Sequence, residues 1–120
     1  MPKRVMIVED NELNMKLFRD LIEASGYETV QTRNGLEALD LARAHKPDLI
    51  LMDIQLPGMS GMGTTKAIRA MENKDKASIP VIALTGNVQE EDIRQCFAAN
   101  MNGHLAKPVD PAKLKNQIEK

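Results

Sequence analysis

Short apolar runs alternate with amphipathic segments five times along the chain. Three runs, residues 5–8, 49–52 and 81–84, are unbroken and of strand length, which is typical of parallel strands buried on both faces. Residues 29–32 alternate polar and apolar side chains, and the run at 104–106 is short. We therefore predict three central strands and two edge strands.

Helix start and stop signals lie between these runs. Asn11 is a candidate N-cap for a first helix, and Gly26 is a candidate stop. We place five residues on one apolar face of this helix: Leu13, Leu17, Phe18, Leu21 and Ile22. Asn34 and Glu37 have the spacing of a capping box, ahead of a second helix with the apolar residues Leu36, Leu39 and Ala42.

Three further helices are predicted. One spans about residues 60–71 with Ala67 and Ile68 inward, and one begins at the acidic residues 90–92 and ends at Asn102-Gly103. The last begins at Asp110-Pro111. Five β-then-α units joined by short loops predict an α/β fold, a parallel sheet with helices on both faces.

Composition narrows the class of protein. The chain has 120 residues, 42% hydrophobic and 28% charged, which predicts one globular domain over residues 1–120. A formal net charge of −1 and 2% aromatic residues argue against nucleic acid or a membrane surface as the partner. The single cysteine, Cys96, excludes an internal disulfide, and no run reaches the roughly 20 apolar residues of a membrane span. We therefore expect a cytoplasmic protein.

Polar residues end four of the apolar runs. Glu9 and Asp10 follow the first run, Asp53 the third, Thr85 the fourth and Lys107 the fifth. Because the carboxyl ends of parallel strands form the ligand-binding edge of such sheets, we expect these side chains to share one pocket. Three carboxylates repel one another, and oxygen ligands without cysteine or histidine favour Mg²⁺ over zinc. The lysine supplies the charge that a phosphate ligand needs.

Four separated motifs carry a resemblance to a known family. They are residues 7–11 (IVEDN), 51–57 (LMDIQLP) with Gly61, 83–86 (ALTG) and Lys107-Pro108. Together they resemble the CheY-like receiver domain of response regulators. The first sixty residues are especially similar to DivK-type single-domain regulators, and the part from about Ile79 onward looks more like receivers of hybrid histidine kinases. A chimera, an engineered form and a divergent relative all fit this pattern.

The resemblance implies a fold and a function. The fold is a flavodoxin-like (βα)5 doubly wound parallel sheet with strand order 2-1-3-4-5. The function is that of a phosphoacceptor in a two-component phosphorelay: Asp53 takes a phosphoryl group from a phosphohistidine donor in a Mg²⁺-dependent reaction. Such a domain is a signalling module, and it catalyses only its own phosphoryl transfer and slow dephosphorylation.

The resemblance also assigns the site residues. Asp10, Asp53 and the backbone carbonyl of Gln55 hold Mg²⁺, with Glu9 acting through water. Lys107 neutralises charge on the phosphoryl oxygens, and Thr85 bonds one of them after phosphorylation. Three residues control access to the phosphate: Gln55, Gly86 and Asn87. The Lys107-Pro108 bond resembles a cis peptide of the family, although most X-Pro bonds are trans.

His104 departs from the family, which usually has Tyr or Phe three residues before the lysine. Imidazole is polar and titrates near neutral pH, so we predict a weaker or pH-sensitive coupling between phosphorylation and the output surface. That surface comprises the fourth helix, the fifth strand and the fifth helix, and it would bind a downstream protein. The phosphodonor is expected to be a histidine kinase or a histidine phosphotransferase.

Other functions fit the sequence less well. An aspartate-nucleophile phosphohydrolase normally has a second acid two residues after the nucleophile, where this chain has Gln55. Neither a flavin-type phosphate loop nor a nucleotide-binding motif follows the first strand. Each site residue also has an ordinary structural explanation. These explanations would all have to be true at once, and the coincidence of polar residues at four strand ends argues against that. A free-standing regulator and the receiver of a hybrid kinase remain equally compatible with the sequence.

Overall fold

Five parallel strands form one sheet. The structure is a computed structural model that describes residues 3–45, 47–53, 61–71, 79–85, 94, 98, 101–106 and 111–119. The strands are β1 (Arg4–Val8), β2 (Glu28–Thr32), β3 (Leu49–Asp53), β4 (Val81–Thr85) and β5 (Gly103–Ala106). Their order is β2-β1-β3-β4-β5, which confirms the predicted topology and both edge strands.

The central strands are buried because they lie between two layers of helices. Val5–Val8 of β1 and all five residues of β3 are buried, as the unbroken apolar runs predict. Val8 pairs with Met52, and Asp53 pairs with Leu84 on the next strand. This register brings the ends of β1 and β3 to the same level at one edge of the sheet.

The described residues include four helices with defined bounds around the sheet: α1 (Glu12–Ala24), α2 (Gly35–His45), α3 (Gly61–Arg69) and a C-terminal helix (Pro111–Glu119). Of the predicted fourth helix, the structure describes Arg94 and Ala98, and both are helical. The remainder of that predicted helix lies outside the described residues.

The caps of α1 and α2 follow the sequence signals. The Asn11 side chain accepts a hydrogen bond from the N–H of Asn14, 3.1 Å away. Gly26 ends α1 with a φ of 91°, a conformation that side-chain-bearing residues rarely adopt, and its N–H bonds to the carbonyl of Glu23. At the start of α2 the N–H of Glu37 donates to Asn34 Oδ1 over 2.8 Å, as one half of a capping box does.

Each face of the sheet has its own apolar cluster. On one face, Phe18 and Ile22 of α1 and Leu114 of the C-terminal helix pack with residues of β1, β3, β4 and β5. On the other face, Ala38 of α2 and Ile68 of α3 pack with the alternate residues of the same central strands. Burying a side chain as large as Ile22 contributes roughly 1.5–3 kcal/mol to folding.

The predicted apolar face of α1 is partly wrong. Leu13 and Leu17 are 67% and 52% exposed, and the buried residues are Met15, Phe18 and Ile22. Successive helical residues are 100° apart, so the two exposed leucines lie on the side of α1 that faces away from the sheet. Leu36, which we grouped with the apolar residues of α2, is likewise 62% exposed.

Candidate functional site

Three acidic side chains meet at the carboxyl ends of β1 and β3. Glu9 and Asp10 directly follow β1, and Asp53 is the last residue of β3. One carboxylate oxygen from each residue lies within 4.8 Å of the other two. Glu9 is 1% exposed and Asp53 3% exposed, whereas Asp10 is open to solvent. The structure thus brings together three of the predicted site residues.

Backbone contacts hold Glu9 in this position. Its N–H donates to the carbonyl oxygen of Thr32 at the end of β2, 3.1 Å away. Its Oε1 accepts a hydrogen bond from the N–H of Asn11, 3.3 Å away, immediately before α1. Asn11 is the N-cap of α1, so this bond fixes the Glu9 carboxylate at the start of the helix.

The acidic cluster has the chemistry of a divalent cation site. Carboxylate oxygens are hard ligands, which Mg²⁺ and Ca²⁺ prefer, and three of them in one place repel each other without a cation. Oxygens that bind one Mg²⁺ ion are at most about 4.2 Å apart, and the three carboxylate oxygens lie within 4.8 Å of one another. The residues present therefore fit a bound divalent ion.

The next two strands end beside this cluster. Thr85 is the last residue of β4 and follows Leu84, the partner of Asp53 in the sheet. It pairs in turn with Ala106, the last residue of β5. His104 is half-buried on β5 and pairs with Ala83. Four other predicted site residues lie outside the described residues: Gln55, Gly86, Asn87 and Lys107.

An ion pair at the rim of the site was not predicted from the sequence. Arg33, between β2 and α2, contacts Glu12 at the start of α1, with 2.7 Å between Nη2 and Oε1. Both side chains are largely exposed, so the pair contributes less than about 1 kcal/mol to stability. No local motif connects the two residues, because they belong to different elements that the fold brings together.

The sequence that forms these strands and acids matches a known protein family. The model of the response regulator receiver domain matches residues 5–119. The chain belongs to the response regulator receiver family. As a receiver domain it is a component of a two-component regulatory system, as its four sequence motifs predict.

The similarity of this receiver domain to DivK covers both halves of the chain. It is 60% identical over 119 residues to the polar-differentiation response regulator DivK of Brucella anthropi, covering 99% of this chain and 95% of the relative. It is 58% identical, with the same coverage, to DivK of Brucella ovis. The part from Ile79 onward, which we compared with hybrid-kinase receivers, therefore lies within the match to DivK.

Solved receiver structures share the fold. A receiver domain of a sensor histidine kinase from Pseudomonas aeruginosa, solved with a magnesium ion in its active site cleft, has a TM-score of 0.90 and 34% identity, covering 99% of this chain and 96% of that one. Chemotaxis response regulator CheY4 of Vibrio cholerae has a TM-score of 0.91 and 26% identity, with coverages of 99% and 98%. The receiver domain of Ssk1 from Saccharomyces cerevisiae, crystallised with the histidine phosphotransfer protein Ypd1, has a TM-score of 0.90 and 30% identity, with coverages of 98% and 86%.

None of the described helices of this receiver domain is both long and apolar enough to cross a membrane.

Proposed function

We propose that this receiver domain accepts a phosphoryl group on Asp53 from a phosphohistidine donor in a Mg²⁺-dependent reaction. The observation that carries the proposal is the meeting of Glu9, Asp10 and Asp53, with one oxygen from each within 4.8 Å of the others. Asp53 ends a buried strand, which holds its carboxylate in a defined direction. The magnesium ion in the related kinase receiver from Pseudomonas aeruginosa supports the choice of metal.

The proposed reaction forms an acyl phosphate. A carboxylate oxygen of Asp53 makes a new P–O bond as the P–N bond to the donor imidazole breaks. The imidazole nitrogen leaves with the bonding electron pair. Mg²⁺, when bound, supplies positive charge next to the carboxylates and the phosphoryl oxygens, where charge stabilisation matters most in this class of reaction.

The remaining site residues have supporting roles in the proposal. Asp10 and Asp53 bind the ion directly together with the carbonyl of Gln55, and Glu9 binds through water. Lys107 neutralises the phosphoryl oxygens, and Thr85 donates its hydroxyl to one of them. Gly86 and Asn87, with the Gln55 side chain, control the approach of the donor and of hydrolytic water.

The phosphodonor is proposed to be a histidine kinase or a histidine phosphotransferase. The solved complex between the related Ssk1 receiver and the phosphotransfer protein Ypd1 supports this class of partner. Leu13 and Leu17 form an exposed apolar patch one helical turn apart at the start of α1, directly after the acidic cluster. A docked donor would cover this patch while its histidine reaches Asp53.

The output is proposed to be a shift in conformation rather than turnover of a second substrate. Phosphorylation of Asp53 would change the surface that comprises the predicted fourth helix, β5 and the C-terminal helix, and a downstream protein would bind there. We also predict that residues 1–120 act as one domain and that the protein is cytoplasmic.

Intact-mass measurement tests the proposal. We expect wild type to gain one phosphoryl group when incubated with Mg²⁺ and a small phosphodonor, and peptide mapping to place it on Asp53. Asp53→Asn, and wild type in excess chelator, should gain none. Asp40→Asn removes an exposed aspartate of α2 and should behave as wild type. Phosphorylation elsewhere, or repeated turnover of phosphomonoesters as in a phosphohydrolase, would overturn the proposal.

A further inference from the structure

Asn102 connects the start of β5 to the start of β4. Its side-chain Oδ1 accepts a hydrogen bond from the N–H of Val81, 2.9 Å away. Its own N–H donates to the carbonyl oxygen of the same Val81, 2.8 Å away. These two bonds, the Asn102–Val81 pair, lie at the end of the sheet opposite the acidic cluster. They define which residue of β4 faces each residue of β5.

Among the described residues, the same arrangement occurs once more at this end of the sheet. Asp48, directly before β3, accepts a hydrogen bond from the N–H of Arg4 on its Oδ2, 2.8 Å away. The N–H of Asp48 donates to the carbonyl oxygen of Arg4 over 2.7 Å. In both cases the residue before a strand binds the first residue of its neighbour through side chain and backbone together.

The two strands depend on these contacts to different degrees. β3 has five buried residues and pairs with β1 and β4, so a one-residue slip would expose its whole apolar set. β5 has four residues, begins with Gly103 and lies at the edge of the sheet. Leu105 is its one buried side chain among those described. Packing therefore specifies the register of β5 less strongly than that of β3, and a larger share is left to contacts such as those of Asn102.

Arg69 at the end of α3 holds Asn102 from the other side. Its Nη2 donates to Asn102 Oδ1 over 2.7 Å, and its Nη1 donates to the carbonyl oxygen of Ile79 over 2.6 Å. Partial burial lowers the pKa of the Arg69 guanidinium, which still stays charged at neutral pH. Hydrogen bonds from a charged donor are stronger than those between neutral groups.

We propose that Asn102, held by Arg69, is a positioning residue for the phosphoryl chemistry at the far end of β5. In the register that begins at Asn102, Thr85 pairs with Ala106 at the other end of β5. Lys107 is the next residue in the sequence. A slip of one residue displaces a strand by roughly 3.3 Å along its axis, which is more than a hydrogen bond tolerates. This inference rests on the proposed function of Lys107, whereas the acids on β1 and β3 do not depend on Asn102.

The test separates phosphorylation from metal binding. For Asn102→Ala we expect phosphorylation by a small phosphodonor to slow by about tenfold or more per folded molecule, since misplacing a charge-stabilising group by angstroms has effects of this size. Mg²⁺ affinity, measured by calorimetry, should stay within about twofold of the wild-type value. A twofold change is well below the tenfold change that corresponds to 1.4 kcal/mol. Asn102→Asp keeps both acceptor bonds and should restore the rate.

Asp48→Ala is the matched control. It removes the equivalent side-chain bond at β3 and should leave both the phosphorylation rate and the Mg²⁺ affinity near wild type. Arg69→Gln weakens the hold on Asn102 without removing the Asn102–Val81 pair, and it should give a smaller loss of rate. It provides the measurement if Asn102→Ala fails to fold.

Backbone NMR tests the register without any phosphorylation. Contacts between paired residues of β4 and β5 should be lost or shifted in Asn102→Ala, and those between β1 and β3 should persist in Asp48→Ala. An unchanged β5 register, a wild-type rate in Asn102→Ala, or a parallel fall in rate and Mg²⁺ affinity would overturn the inference. A wild-type chain that gains no phosphoryl group, with the register changed as expected, would instead overturn the proposed function.

Discussion

The carboxylates of Glu9 and Asp53 leave neighbouring strands at the same level of the sheet, and both are almost completely buried. Their oxygens lie within 4.8 Å of each other and of Asp10. Negative charges this close destabilise the folded state at neutral pH unless a cation binds between them. The acidic cluster therefore lowers the stability of the metal-free protein and at the same time provides a binding site for a cation.

Asp53→Asn is expected to stabilise the metal-free protein. Removing one buried charge from the cluster should raise the free energy of unfolding at neutral pH by on the order of 1 to 2 kcal/mol in chelator. Wild type should gain about 2.7 kcal/mol at a Mg²⁺ concentration 100 times Kd, and the variant clearly less. Urea denaturation with and without Mg²⁺ measures both effects, with Asp40→Asn as control. Equal Mg²⁺ stabilisation of variant and wild type would contradict the assignment of the metal site.

Leu17→Lys is expected to impair transfer from a protein donor but not from a small phosphodonor. A charge in the middle of the exposed α1 patch would be desolvated when a partner covers it, at a cost of about 1 to 3 kcal/mol, or roughly 5- to 150-fold in affinity. Leu36→Lys is the matched control, because Leu36 is similarly exposed on α2, which packs on the opposite face of the sheet. Equal losses in both variants would argue against docking at α1.

Ile22→Ala and Leu13→Ala are expected to differ widely in stability. Ile22 is 1% exposed, and its truncation should cost about 2 to 5 kcal/mol through lost burial and a residual cavity. Leu13 is 67% exposed, and its truncation should change stability by no more than about 0.5 kcal/mol. Chemical denaturation at equilibrium measures the difference. Similar costs for the two variants would show that α1 buries a different face.

His104→Tyr is expected to strengthen the response to phosphorylation. His104 is half-buried on β5, and an aromatic ring that turns inward at this position loses less hydration energy than an imidazole. Amide hydrogen exchange over residues 101–106, with and without the phosphoryl group, should show a larger difference in the variant. An equal difference in the variant and in wild type would contradict the predicted role of His104.

The sequence was sufficient to predict the sheet, because its central strands are unbroken apolar runs that only a doubly covered parallel sheet can bury. Residues 5–8, 49–52 and 81–84 lie in β1, β3 and β4 to within one residue at either end. Helix faces were harder to predict. Leucine and methionine are equally apolar in a pattern, so only contact with the sheet decides that Met15 is buried and Leu17 is not.

The candidate site shows the same division. The sequence by itself determined that acids follow β1 and β3, and the rule that parallel strands end at one edge was enough to predict their meeting. Only the tertiary structure decided that Asn102 contacts both Val81 and Arg69, because those hydrogen bonds join three elements that are distant in sequence. Local patterns record what each segment can bury, whereas contacts between segments exist only once the chain has folded.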